Sequence, residues 1–333
     1  MPKIKLRIDQ YFSIFFCLLL LLLQGCLSTQ KQQFDQFQQQ FITLLQSTTQ
    51  PSLTSSASAS LVDLDRSESQ IASIAAATSA VDSSSNFLND ISATAYLALD
   101  VESAAILLDK NLGAQLYPAS TVKLMTALVA RDVFDLNQVV AVQNGLYTDG
   151  HRVGFSYGQQ FLVRDLVAAI LVNSGNDAAM VLANYHPQGY DGFVQAMNEK
   201  AKTLNLKHTV FKNPTGLDEY SQVSSAWDLS ILAREAIKDP FFKQLAQLPQ
   251  MVVTDISGQY NYTLFNTNKL LAQHREVKGL KTGTTPLAGE VLISLWEVKA
   301  QPVLIIVMQS DDRYQDTLKI YRWLQTYVVW QSS

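Results

Sequence analysis

The spacing of apolar residues changes character several times along the chain. An apolar run with no charge inside it spans residues 11–23. From residue 27 to about 92 apolar residues thin out among Gln, Ser, Thr and Ala, with low-complexity patches at 55–60 and 83–85. One regular feature survives there: Phe34, Phe37, Phe41 and Leu44 recur at helical spacing. That predicts either a short coiled-coil or surface-lying helix, or a transient helix within a tether. Beyond residue 94 the pattern is that of a packed domain. Residues 95–101 alternate and predict a strand, with a hairpin partner at 104–108 across the turn at Glu102-Ser103. Residues 120–129 predict a buried helix. Residues 161–172 and 177–183 predict helices separated by a break at 173–176, and 192–204 and 226–237 predict two more. Residues 277–282, 291–296 and 303–308 predict strands, the last two joined by a turn at 299–302, and 317–328 predicts a closing helix. Strands at both ends with helices between them imply an α+β fold, its mainly antiparallel sheet assembled from distant segments. There is no internal repeat.

Composition narrows the class. The chain has 333 residues, 47% of them hydrophobic, enough for one large domain or two small ones. Its net charge is −4 and no long basic run occurs after the first few residues, which argues against nucleic acid as a partner. The two cysteines, Cys17 and Cys26, both lie near the N-terminus, so the body of the chain has no disulfide framework, CxxC redox site or cysteine zinc site. His151, His186, His208 and His274 are not at metal-ligand spacing. No metal and no cofactor are expected.

The N-terminus reads as an export address. Lys3, Lys5 and Arg7 precede the apolar run, which is short for a transmembrane helix and suits a signal-peptide core. Leu23-Gln24-Gly25-Cys26 resembles a bacterial lipobox, with Gln24 a less usual residue at its position. That resemblance implies cleavage before Cys26 and a lipid on its thiol. An ordinary cleaved signal and an uncleaved anchor are the alternatives, and all three export the rest of the chain. The expected organisation is a signal peptide over 1–25, a lipid-anchored or flexible tether over 26–92 and a folded domain over 93–333. If flexible throughout, the tether spans roughly 45 Å root-mean-square.

Three short motifs carry chemistry: Ser120-Thr121-Val122-Lys123, Ser174-Gly175-Asn176 and Lys281-Thr282-Gly283. Singly the first two are weak, since the tether holds decoys at Ser28-Thr29-Gln30-Lys31 and Ser84-Ser85-Asn86. The set of three is stronger, because each lies in or at the edge of an apolar element. Ser120 opens the predicted helix, and Lys123 falls one turn on, on the same face. A serine hydroxyl needs a base before it is a useful nucleophile. A buried lysine beside a second cation loses its proton readily, and Lys281 is the candidate second cation. Gly175 permits a tight bend that turns Ser174 and Asn176 into a cleft. Ser174 is placed to relay a proton to a leaving amine. Asn176 is placed to accept from Lys123 and donate to a substrate carbonyl. Lys281 and Thr282, with help from Thr284, offer a cation and hydroxyls to a terminal carboxylate, while Gly283 leaves room for a substrate backbone to pair with the strand. The backbone N–H groups of Ser120 and Thr284 suit an oxyanion hole.

The segment around Leu116-Tyr117-Pro118-Ala119-Ser120-Thr121-Val122-Lys123-Leu124-Met125 resembles the nucleophile segment of the D-alanyl-D-alanine carboxypeptidases, the low-molecular-mass penicillin-binding proteins. The stretch around Ser174-Gly175-Asn176-Asp177-Ala178 resembles their second motif. Asn213-Pro214-Thr215-Gly216-Leu217-Asp218 and Ser225-Ala226-Trp227-Asp228-Leu229 resemble the family's segment between the second and third motifs. Asn266-Thr267-Asn268-Lys269-Leu270-Leu271 and residues 279–289 resemble the third, and Arg313-Tyr314-Gln315-Asp316 a segment near the end of the family's domain. The resemblance covers about residues 96–323. It implies the penicillin-recognising serine-enzyme fold, peptidoglycan stem peptides as substrates and β-lactams as inhibitors. Two departures stand out. Some members have an arginine near Thr267 that helps hold the substrate carboxylate. Many carry a C-terminal β-domain and amphipathic anchor, neither of which is expected here. A β-lactamase of the same fold is disfavoured: the ExxxN carboxylate motif is missing, Glu199 being followed four residues on by Thr203. A D,D-endopeptidase uses the same site chemistry and stays open. A non-catalytic wall-binding lipoprotein is disfavoured by the three intact motifs.

The lipobox reading predicts that Cys26→Ala releases the protein from the membrane or leaves it unprocessed. Mass spectrometry of the mature N-terminus checks this; an unmodified terminus at a later residue overturns the lipid while leaving export intact.

Overall fold

A computed structural model describes residues 88, 90–143 and 148–330. The expected signal peptide and nearly all of the expected tether, with Cys26 and the Phe34–Leu44 pattern, lie outside the described residues. The packed body starts slightly before the expected boundary at 93: Ile91 is buried, and Ser92 is hydrogen-bonded to the C-terminal helix.

The main sheet has five antiparallel strands in the order β2-β1-β9-β8-β7. β1 (Ala95–Asp100) and β2 (Ile106–Lys110) form the first hairpin. β7 (Val277–Thr285), β8 (Gly289–Val298) and β9 (Gln301–Ser310) come from the far end of the chain, and β9 pairs with β1 to unite the two halves. The strands are longer than their apolar runs because ladder pairing carries on into polar residues once the centre is buried. The β8–β9 turn uses Lys299 and Ala300, both at positive φ, the backbone handedness that matches the twist of a tight hairpin.

Residues 291–296 and 303–308 are buried without alternation because both faces of the sheet are covered. The closing helix (Arg313–Tyr327) lies on one face. Trp296 sits in that layer, stacked on Tyr321 with centroids 4.2 Å apart, its indole N–H satisfied by Ser294 Oγ at 2.8 Å. The remaining helices gather on the other side: α1 (Lys123–Val133), α2 (Val163–Ala168), α3 (Asn176–Asn184), α4 (Gly189–Thr203), α5 (Ala226–Ala236) and α6 (Pro240–Gln247), which makes the closing helix α7. Their ends obey local rules. Ser225 caps α5 by accepting from Asp228 N at 3.1 Å, and Asp312 caps α7 by accepting from Tyr314 and Gln315 N.

Several elements differ from expectation. Residues 161 and 162 belong to a short strand, β4 (Gln160–Leu162), paired with β3 (Val139–Ala141), and helix starts only at Val163. The helix predicted from Ser120 begins as a 3₁₀ turn over Ala119–Val122. α6 and the hairpin of β5 (Gln250–Thr254) and β6 (Asn261–Phe265) have no counterpart among the expected elements. Asp239-Pro240 nevertheless carries a helix-start signal: Asp239 accepts from Phe241 N at 2.8 Å and proline occupies the first turn.

The start of the domain is tied to its end through Asp316. Its carboxylate, on α7 and 2% exposed, accepts from Ser92 N, Ser92 Oγ, Ala93 N and Ser310 Oγ at 2.6–3.1 Å. Asp316→Ala strands those donors and is expected to cost about 2–3 kcal/mol of stability. Urea unfolding checks this; a loss below about 1 kcal/mol, on the same scale of hydrogen-bond energies, contradicts the tie.

Candidate active site

Ser120 lies where three backbone segments converge. An isolated bridge between Leu116 and Ser224 holds the approach. Ala119 then takes φ +48°, an uncommon left-handed conformation for a residue with a Cβ, and the chain enters the 3₁₀ turn that carries Ser120. Thr121 Oγ1 donates to Pro118 O at 2.6 Å, and Thr126 Oγ1 to Pro214 O at 2.6 Å, pinning both ends of the turn.

Lys123 is fully buried at the start of α1. Its Nζ meets Ser120 Oγ at 3.0 Å, Asn176 Oδ1 at 2.6 Å and Thr215 O at 2.6 Å. Two of these partners can only accept. Only the serine hydroxyl can reverse its role, so a neutral Lys123 keeps two donated bonds and turns its lone pair to Ser120. Burial holds the Lys123 pKa well below the usual lysine range, and the nearby Lys281 lowers it further, with Asp177 opposing.

The second motif comes directly after a π-helical turn over Ala169–Asn173. The bend is made differently from expectation: Ser174, not Gly175, has the positive φ, at +63°. Gly175 lies at φ −61°, and its missing side chain serves close packing, since a Cβ there would approach Val153 Cγ2 to 2.8 Å. Asp177 holds the loop over 153–155 against α3 by accepting from Val153, Gly154 and Phe155 N at 2.7–3.2 Å. Asn176 gives an amide N–H to Asp149 O at 2.6 Å as well as accepting from Lys123.

The third motif lies on β7, the edge strand of the sheet. Lys281 is 1% exposed and donates to Ser174 Oγ at 2.8 Å and Thr282 O at 2.9 Å. Burial first, and Arg313 second, push its pKa down to about 7. Thr282 Oγ1 is 2.6 Å from Thr267 Oγ1. Thr267 is in turn held by Tyr314 Oη, which donates to its carbonyl at 3.0 Å. Thr284 is exposed toward the end of the strand.

Gly283 also serves close packing. A Cβ on it would stand 2.8 Å from both Ala119 Cβ and Ser120 N, so its bareness lets β7 abut the nucleophile turn. Gly216, which lies outside the three motifs, is tighter still: at φ +82° a Cβ would lie 1.9 Å from Ala119 O. Asn213 shapes that turn by accepting from Gly216 N at 2.8 Å and Thr215 Oγ1 at 3.0 Å. The Asn213-Pro214-Thr215-Gly216 sequence was the available signal. Beyond the end of β7 a cleft of about 490 Å³ opens, lined by Asp149, Thr215, Leu217 and Thr285 among others.

The family model for D-alanyl-D-alanine carboxypeptidases matches residues 78–312. The chain belongs to that family. It is 31% identical over 199 residues to the D-alanyl-D-alanine carboxypeptidase DacF of Bacillus subtilis, covering 58% of this chain and 51% of that protein. It is 32% identical to a D-alanyl-D-alanine endopeptidase of Pseudomonas aeruginosa, covering 67% of this chain and 77% of the relative. A penicillin-binding protein homologue from Mycobacterium tuberculosis superposes with a TM-score of 0.68 at 28% identity, over 73% of this chain and 95% of that one. The fold is therefore the penicillin-recognising serine-enzyme fold. The chain spans about half of the length of DacF and 64% of that of another curated carboxypeptidase it matches, DacD of Escherichia coli.

The glycine contacts give a direct test. Gly216→Ala should force the nucleophile turn outward and slow acylation of Ser120 by a β-lactam about 100-fold, the scale of an ångström-sized misplacement. Stopped-flow or gel-based acylation rates measure this; a near-normal rate in a folded variant shows that the turn tolerates displacement.

Proposed function

We propose that the chain is an exported serine D-Ala-D-Ala carboxypeptidase that removes the terminal D-Ala of peptidoglycan stem peptides through an acyl-enzyme on Ser120. The observation that carries the reading is the Lys123 ammonium position, with two fixed acceptors and the Ser120 hydroxyl as its third neighbour. Neutral Lys123 takes the Ser120 proton as the Oγ–carbon bond forms. The carbonyl π pair moves to oxygen and is met by the N–H groups of Ser120 and Thr284. The C–N bond then breaks, and the leaving amine takes a proton through Ser174, whose oxygen already accepts from Lys281. Water attacks the ester in the second half, releasing the shortened peptide and returning the proton to Ser120. Lys281, with Thr282, Thr267 and Thr284, receives the terminal carboxylate. The cleft past Thr285 has room for the upstream peptide. These steps call on no cofactor or metal. Lipidated Cys26 and the tether place the domain on the outer side of a membrane; among the described residues no helix is long and apolar enough to cross one.

A D,D-endopeptidase is the second reading. Thr267 in place of an arginine favours it, because a site that leans less on a terminal carboxylate discriminates less against a cross-linked peptide.

Penicillin is expected to add its full mass to a peptide containing Ser120 and to persist there. Ser120→Ala abolishes uptake, and Lys123→Ala removes roughly 100- to 10,000-fold of the rate. Rapid turnover of penicillin points instead to a β-lactamase. A folded chain that neither takes up penicillin nor releases D-Ala points to a binding protein. Product analysis on a D-Ala-D-Ala pentapeptide beside a cross-linked dimer separates the carboxypeptidase from the endopeptidase.

Lys281→Ala should cost about 2–4 kcal/mol in kcat/KM on the free-carboxylate peptide and less on an amidated one. A lysine is a cation below its pKa and neutral above it. With Lys281 near 7, kcat/KM for the free-carboxylate peptide should fall as pH rises through about 7, and the amidated peptide should show a weaker fall. Equal pH profiles and equal losses on both substrates would remove the carboxylate role.

A further inference from the structure

We infer that Arg313 is a positioning residue for the oxyanion hole: its guanidinium grips the carbonyl end of the peptide unit whose other end, the Thr284 N–H, faces the substrate. The inference rests on the serine-hydrolase reading and adds to it a residue outside the three motifs.

Arg313 opens α7, yet its side chain turns away from solvent and is only 12% exposed. Its Nη1 donates to Gly283 O at 2.6 Å and to Val291 O at 3.2 Å. Those residues are partners across the β7–β8 ladder, so the guanidinium bridges the two strands beside the third motif. Glu290 holds the arginine from two sides: Oε1 accepts from Nη2 at 3.3 Å and Oε2 from the Arg313 backbone N–H at 3.0 Å. A planar fork fits such a set of acceptors; an ammonium presents only one point of charge. The buried Nε has no partner among the described residues, so the group is committed to this position despite an unsatisfied donor.

Peptide geometry supplies the link to the hole. The Gly283–Thr284 bond is trans, so the Gly283 carbonyl and the Thr284 N–H point in opposite directions. The carbonyl points toward Arg313 and β8. The N–H therefore points away from β8, out of the free edge of β7. Gly283 is also the residue whose bareness brings β7 against the Ser120 amide, so the second N–H of the hole is its immediate neighbour. A cation on the carbonyl draws electron density through the amide and makes the N–H a stronger donor; such polarisation along a hydrogen-bonded chain is worth on the order of 10–30% per bond. The same grip fixes the direction of the N–H before charge develops on the substrate oxygen, which is what a preorganised hole requires. A surface ion pair with Glu290 would need neither carbonyl contact.

The test compares a transition-state mimic with a ground-state ligand in the full chain. A peptidyl boronic acid forms a tetrahedral adduct on Ser120 and places an oxygen in the hole. Free D-Ala, the released amine product, engages the carboxylate side of the site and puts no atom in the hole. Arg313→Gln is expected to weaken the boronate about 10- to 100-fold and lower kcat by a similar factor, within the range known for loss of an oxyanion donor, with product affinity and KM changed by less than about threefold. Arg313→Lys should restore part of the boronate loss. Glu290→Gln, which keeps the guanidinium but loosens its anchor, should weaken the boronate more than the product and serves as the test if Arg313→Gln does not fold; equal effects on the two ligands there overturn the inference as well. Parallel losses of boronate and product affinity, or no loss in a folded Arg313→Gln, overturn the inference. A wild-type chain that takes up neither boronate nor penicillin at Ser120 overturns the hydrolase reading itself, and this inference with it.

Discussion

Two lysines are buried close enough to repel one another, and most of the site can be understood as what it takes to keep them there. Lys123 and Lys281 are 0% and 1% exposed. Burying one ammonium is costly, and burying a second nearby adds repulsion, so both groups hold their protons weakly. Among the described residues no carboxylate is paired with either lysine. Lys123 is surrounded by an amide oxygen, a main-chain carbonyl and a hydroxyl; Lys281 by a hydroxyl and a carbonyl. A directly paired carboxylate would stabilise the charged form and destroy the basicity. Asp177, the negative group that acts on Lys123, has its oxygens engaged by backbone N–H groups of the 153–155 loop.

The second constraint is steric. The turn that carries Ser120 touches the edge of the sheet on one side and the turn at 213–216 on the other. Gly283 and Gly216 make those contacts possible, and Ala119 accepts a left-handed backbone between them. An unfavourable conformation in a residue with a Cβ costs of order 1–3 kcal/mol and persists only where surrounding structure enforces it. Here the enforcement comes from Thr121 and Thr126, whose hydroxyls tie the turn to carbonyls at Pro118 and Pro214. β7 contributes as an edge strand: with β8 on one side only, its other edge remains available to a peptide.

Thr267 shows how the third motif adapts. Its hydroxyl sits 2.6 Å from that of Thr282, and Tyr314 on α7 holds its carbonyl. Arg313, the neighbour of Tyr314, reaches the carbonyl of Gly283. The Asp312 cap starts α7 at 313, ahead of its apolar pattern near 317, and this first turn supports β7 directly at Gly283 and through Thr267, the partner of Thr282.

The local chemistry was legible from the sequence. Apolar runs marked β1, β8, β9 and the centre of α7, because a strand covered on both faces shows as a continuous apolar run and a helix buried on one face shows its period. Ser120, Lys123, Ser174, Asn176 and Lys281 stood out because their spacing places reactive groups at the boundaries of apolar elements. Tertiary structure decided what those residues meet. Nothing in the sequence placed the Lys123 amine against the carbonyl of Thr215, or Gly283 against Ser120, since these pairs are far apart in the chain and have no shared period. Gly175 serves another end than the sequence suggests, and Gly283 gains a packing role, for the same reason: a glycine announces a missing side chain, but whether that serves a turn or a neighbouring segment depends on what packs against it. The 3₁₀ turn at Ser120 and the strand at 160–162 likewise depend on long-range partners that outweigh local propensity. Periodicity and spacing determined which residues can do the chemistry; packing of distant segments decided which atoms touch, because close contact is a property of three dimensions.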